Sequence, residues 1–112
     1  MADAKEFFND FQTKMAKVKD ITPDTLAGFS ALFGKVMKDG AITLLEKELI
    51  AIAISVNQKC PPCIRLHTKK CLEAGATKEQ ILEACGVSVM MGGGPAYTHL
   101  AVVIEALEAL DA

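Results

Sequence analysis

Residues 44–71 read LLEKELIAIAISVNQKCPPCIRLHTKKC, and the fold depends on where this stretch is divided. Its first half is apolar nearly all round, with Thr43 and Glu46 ahead of it in capping-box spacing. One helix is therefore expected to start after Thr43 and run through Gln58, buried within the protein or between subunits. Glu48 interrupts that apolar surface one turn before Ile52. Pro61 and Pro62 cannot sit inside a helix, because a proline lacks the amide proton and its ring collides with the preceding turn. In a first turn that proton would lack a helical acceptor anyway, so the prolines mark the start of another helix at the CPPC. The stretch is thus two helices joined at the cysteines.

Outward from this pair the same punctuation recurs. Towards the N-terminus, Phe7, Phe8, Phe11, Met15 and Val18 fall at helical spacing over Ala4 to Val18. Thr22 before Pro23 reads as an N-cap and first-turn proline, opening a helix with Leu26, Phe29, Leu32, Phe33 and Val36 that lasts until Gly40. Towards the C-terminus, the CPPC helix ends before Gly75, a left-handed C-cap position. Thr77 and Gln80 form a second capping-box pattern for a helix ending near MMGGGP, and Pro95 starts the last one, through Tyr97, Leu100, Val103, Ile104 and Leu107. Strand-like alternation is sustained nowhere. The expectation is an all-α chain of about six helices, one domain over residues 1–112.

Composition narrows the function. Of 112 residues 51% are apolar, with no Trp and a single Tyr, which favours helices packed through aliphatic side chains. So apolar a chain of this size has too little interior to hide its surface, and an oligomer is expected. Twelve Lys and Arg against fourteen Asp and Glu give a net charge of −2 with no long block of either sign, so nucleic acid is not an expected partner. The opening MADAKEFFNDFQTKM lacks the apolar region of a signal peptide, and the run LIAIAIS is too short to span a bilayer. A cytoplasmic location without membrane partners is expected. Four cysteines in a reducing compartment point to metal or redox chemistry before a structural disulfide framework.

The CPPC spacing places Cys60 at an N-cap and Cys63 in the first turn, both at the positive end of a helix. That end favours thiolate, and a separation of three permits a disulfide. His67 follows Cys63 by one turn on the same face, placed to take its proton. Cys63 is therefore the expected nucleophile, His67 its base, and Cys60 the resolving thiol. A metal reading of Cys60, Cys63, His67 and Cys71 is disfavoured because ligands along one continuous helix do not easily surround an ion, and Ile64 replaces the histidine that a c-type haem motif requires. Neither metal nor cofactor is expected. Cys71 and Cys85 read as core thiols, His99 as structural, and Arg65, Lys69 and Lys70 as a solvated face. GGGP reads as a helix stop and start, since no strand precedes it and the lysine of a phosphate loop is missing.

Glu48, Cys60, Cys63 and His67 together give the pattern E, eleven residues, CxxC, three residues, H. This set, with AGATKEQI and MGGGPA, resembles the alkylhydroperoxidase D-like branch of the carboxymuconolactone decarboxylase family from Leu44 to Ala96. The resemblance implies an all-helical fold assembled as a homotrimer or homohexamer. It also implies a thiol-dependent peroxidase or disulfide oxidoreductase acting on a small hydroperoxide or disulfide, recycled by a thiol reductant. By position it makes Cys63 peroxidatic, Cys60 resolving, His67 the base and Glu48 the carboxylate that orients or relays to it. Pro62 stands where the best-known peroxidase members have a histidine. The other readings are a lyase on a small carboxylated lactone and a non-enzymatic redox-sensing oligomer; the decarboxylase branch generally lacks the cysteine pair.

Overall fold

The computed structural model describes residues 3–112. They form six helices, α1 (Ala4–Ile21), α2 (Pro23–Val36), α3 (Leu44–Asn57), α4 (Pro61–Glu73), α5 (Lys78–Gly92) and α6 (Gly94–Ala109). No strand occurs among the described residues, so the all-α architecture and each expected helix are present. Both capping boxes form, Thr43 with Glu46 and Thr77 with Gln80, each satisfying two amide protons that a helix start leaves unpaired. At the end of α4, Gly75 has φ 97°. There the Ala76 N–H donates to the Cys71 carbonyl and the Gly75 N–H to that of Leu72, the pairing of a Schellman cap.

Two boundaries differ from expectation. Helix α1 runs past Val18 to Ile21, because Thr22 is at once the C-cap of α1 and the N-cap of α2. Helix α2 stops at Val36, short of Gly40. Lys47 Nζ donates to the Val36 carbonyl at 2.9 Å, and Asp39 Oδ1 accepts from the Leu44 N–H at 2.7 Å. Helix α3 thus takes the Val36 carbonyl that another turn of α2 would have used, and Asp39 accepts an N–H from the start of α3.

The core joins α3, α4, α5 and α6 around Ile52, Val56, Ile64, Cys71, Ile81, Cys85, Val103 and Leu107. Helices α3 and α4 are antiparallel neighbours, whereas α3 and α5 lie side by side in the same direction. Ser88 Oγ donates to the Ala53 carbonyl at 2.6 Å, and Gly92 meets Asn57 one turn further along both helices. A Cβ on Gly92 would displace the Asn57 side-chain amide and lie 3.1 Å from the Ala96 Cβ. Gly93, with φ 70°, ends α5 and starts α6. GGGP is the stop-and-start expected of it.

Helices α1 and α2 bury little; Ala4 is the buried residue of α1, and α2 has none. They reach α4 through aromatic rings instead. Large apolar residues stay exposed on several elements, among them Phe29 and Leu32 of α2, Ile50 and Ile54 of α3, and Met90 and Met91 of α5. Helix α3 is therefore not buried all round within one chain; Ile50 and Ile54 form its outward stripe. No helix among the described residues is long and apolar enough to cross a membrane.

Candidate redox site between α3 and α4

Cys60 is the N-cap of α4, and the Cys63 N–H donates to its Sγ at 3.3 Å. The two cysteines are joined by a disulfide with their Cα atoms 5.3 Å apart. Local sequence is sufficient for this: the residue before Pro61 is held extended, and the helix then places Cys63 beside it. Both cysteines are half-buried. An amide proton directed at the Cys60 sulfur steadies negative charge there when the bond opens.

His67 lies one turn beyond Cys63. Its Nδ1 donates to Glu48 Oε1 at 2.8 Å, across from α4 to α3. Paired to a carboxylate through Nδ1, the ring presents Nε2 as its basic nitrogen. Glu48 is buried at 4% exposure, while the His67 side chain keeps 19%. The carboxylate is thus held away from water and the imidazole retains access to it. Phe33 of α2 stacks on the imidazole with centroids 6.2 Å apart and planes 15° from parallel, and Lys70 Nζ lies 4.8 Å from the same phenylalanine ring. Glu48 and His67 thus meet between α3 and α4, Cys60 and Cys63 are bonded to each other at the start of α4, and one helical turn along α4 separates Cys63 from His67.

Cys71 and Cys85 are free and buried. Burial pushes the Cys71 thiol up to about 12, with further upward pressure from Glu48 and Cys85, and burial alone pushes Cys85 up to about 11. Cys71 Sγ donates to the Glu48 backbone carbonyl at 3.2 Å, so it helps to fix the segment that carries the carboxylate. Both are core thiols, as expected. His99 is structural too, its Nδ1 donating to the Pro95 carbonyl at 2.7 Å. Among the described residues no group of three or more His, Cys, Asp or Glu is gathered closely enough to hold a metal ion.

The solvated face expected for Arg65, Lys69 and Lys70 is corrected in part. Arg65 is only 3% exposed, with its guanidinium 5.3 Å from the Phe7 ring centroid, whereas Lys69 stays exposed 5.9 Å from that of Phe8. The cause is tertiary: the aromatic face of α1 lies over this side of α4 and covers the cation. Phe33 is the site neighbour that sequence reading missed. Its helical spacing marks it as packing, and nothing in the sequence pairs it with His67.

Comparison with known proteins agrees with this fold. The carboxymuconolactone decarboxylase family model matches residues 23–106. A solved structure of lpg0406, a carboxymuconolactone decarboxylase family protein from Legionella pneumophila, is 40% identical and superimposes with a TM-score of 0.83, covering 96% of this chain and 94% of that one. Uncharacterized protein 4 in the cox locus of Paracoccus denitrificans is 41% identical over 83 residues, 74% of this chain and 75% of that protein. Alkyl hydroperoxide reductase AhpD of Corynebacterium kroppenstedtii is 31% identical over 58 residues, 52% of this chain but 33% of that protein. In sequence and in fold, the chain belongs to the carboxymuconolactone decarboxylase family.

Proposed function

We propose that the protein is a thiol-dependent oxidoreductase that cycles Cys60 and Cys63 between dithiol and disulfide to reduce a small hydroperoxide or disulfide. The observation that carries this reading is the Glu48–His67 pair, 2.8 Å long with its carboxylate buried, one helical turn from Cys63. A structural disulfide needs no oriented base beside it. With Nδ1 committed to Glu48, Nε2 of His67 takes the Cys63 proton. The Cys63 thiolate then attacks the distal oxygen of a hydroperoxide; the O–O bond breaks, His67 passes the proton it took to the departing alkoxide so that an alcohol leaves, and Cys63 becomes a sulfenic acid. Cys60 attacks that sulfur, water departs, and the disulfide forms. Two electrons from a thiol reductant restore the dithiol.

The partial relatedness to a protein named alkyl hydroperoxide reductase supports the peroxide arm. The exposed Ile50, Ile54, Met90 and Met91 support assembly as a homotrimer or homohexamer. A reducing cytoplasm suits a pair that must be reduced again after each turnover. The test follows reduced protein by intact mass and thiol titration during peroxide addition, then adds reductant. Loss of two of the four thiols per chain and their recovery is the expected result; retention of all four thiols in peroxide would overturn the proposal.

A further inference from the structure

Arg65 is 3% exposed, yet among the described residues no carboxylate forms an ion pair with it and its Nε–H has no acceptor. A guanidinium does not lose its proton in a protein, and a buried N–H donor left without an acceptor is costly. The Phe7 ring covers one face of the guanidinium but offers no acceptor in its plane. Arg65 lines a groove of about 250 Å3 between α1 and α4, walled by Phe7, Phe11 and Pro62. Glu6, Asp10 and Lys14 also line it. The groove therefore combines an apolar wall, a buried cation with an orphaned donor, and two carboxylates that do not pair with that cation.

We infer that this groove binds a small zwitterionic α-amino acid. Its carboxylate accepts from Arg65, its ammonium group faces Glu6 and Asp10, and its side chain lies against Phe7, Phe11 and Pro62. The planar guanidinium fork matches a carboxylate. Glu6 and Asp10 repel phosphate and polycarboxylates, and against Lys14 and Arg65 they leave the lining neutral, which suits a zwitterion. The volume lies below the range of about 300–1,000 Å3 usual for drug-sized ligands, so the occupant is small. Pro62 stands between Cys60 and Cys63. An occupied groove thus borders the cysteine pair without using either sulfur, and the inference stands whether or not the pair turns over.

The test is a 15N-resolved NMR titration of the Arg65 Nε–H with four probes: L-leucine, N-acetyl-L-leucine, L-leucinamide and inorganic phosphate. Saturable movement of that resonance is expected with leucine, at least about 10-fold tighter than with the N-acetyl or amide compound. Arg65→Met, followed through the backbone amide resonances of Phe7 and Phe11, which also move with leucine in the wild type, should abolish leucine binding while retaining its helical circular dichroism. Glu6→Gln with Asp10→Asn, which keeps Arg65, should erase the advantage of leucine over N-acetyl-L-leucine. The inference fails if leucine causes no saturable shift, or if phosphate or N-acetyl-L-leucine binds as tightly. It fails equally if the resonance moves with protein concentration alone and follows self-association, because a second copy then supplies the anion.

Discussion

His67 Nδ1 and Glu48 Oε1 meet at 2.8 Å, joining residues nineteen positions apart on adjacent helices, with the carboxylate buried and the imidazole reachable from solvent. The bond holds the ring in the tautomer with Nε2 free. Glu48→Ala should slow peroxide oxidation of the reduced pair by roughly 100-fold, near the low end for general acid–base catalysis. Losing a charge-assisted hydrogen bond should also cost about 1.5–3 kcal/mol in urea unfolding. Glu48→Gln, which keeps an acceptor for Nδ1, should recover most of the stability and little of the rate.

The cysteines should separate by role. Cys63→Ser should abolish peroxide consumption. Cys60→Ser should take up one oxygen at Cys63 by intact mass and then stall, because no neighbouring thiol resolves the sulfenic acid. Equal peroxide turnover by Cys63→Ser and wild type would contradict the assignment of Cys63.

Phe33 stacks on His67 from a helix that has no fully buried residue. Phe33→Ala removes the ring stacked on His67 and should cost about 0.5–1.5 kcal/mol, the usual worth of an aromatic pair beyond its buried area. It should also slow oxidation of the pair, while Phe33→Tyr should restore both. Stopped-flow oxidation alongside thermal unfolding checks the two effects separately.

Cys71 and Cys85 predict loss of stability in alkali. Their folded values, about 12 and about 11, lie above the ordinary 9.0 of a thiol. Unfolding therefore releases protons above pH ~9, where an unfolded thiol ionises. Stability from this source is complete below that pH and declines as pH rises towards the folded values, by about 1.4 kcal/mol per pH unit for each thiol. A Cys71→Ala and Cys85→Ala double variant should be less stable at pH 7 but show a flatter decline from pH 9 to 11. Equal slopes in urea melts across that range would exclude the linkage.

Two glycines should respond with opposite signs. Gly75 caps α4 at φ 97°, and Gly75→Ala should cost about 1–2 kcal/mol because a Cβ disfavours that region. Gly28 lies within exposed α2, where an added Cβ would meet nothing within 4 Å. There, Gly28→Ala should stabilise by about 0.5–1 kcal/mol. Thermal melts of the two variants give the comparison.

Much of the fold is legible in the sequence because its signals are local. Thr43 with Glu46 and Thr77 with Gln80 name two helix starts through hydrogen bonds within four residues, and Pro61 with Pro62 names a third. Cys60, Cys63 and His67 lie on one short segment, so helical spacing is enough to suggest their chemistry. Glu48 is assigned through family resemblance; its apolar setting alone does not say what it faces. The end of α2 is not legible, because Lys47 and Asp39, outside that helix, satisfy the groups at its end and at the start of α3. Nor is the burial of Arg65, whose cover comes from Phe7 on a helix far away in sequence.

Six helices, both capping boxes and a cysteine pair at the start of α4, with an imidazole one turn away, follow from the order of residues alone. Helical periodicity fixes a side chain's angle around its own axis, and capping is settled within a turn. That Glu48 meets His67, that Phe33 covers the imidazole and that Arg65 is buried without an anion follow from packing between helices. Those facts depend on which helix lies opposite and at what register, and that is set by side chains from distant segments packing together.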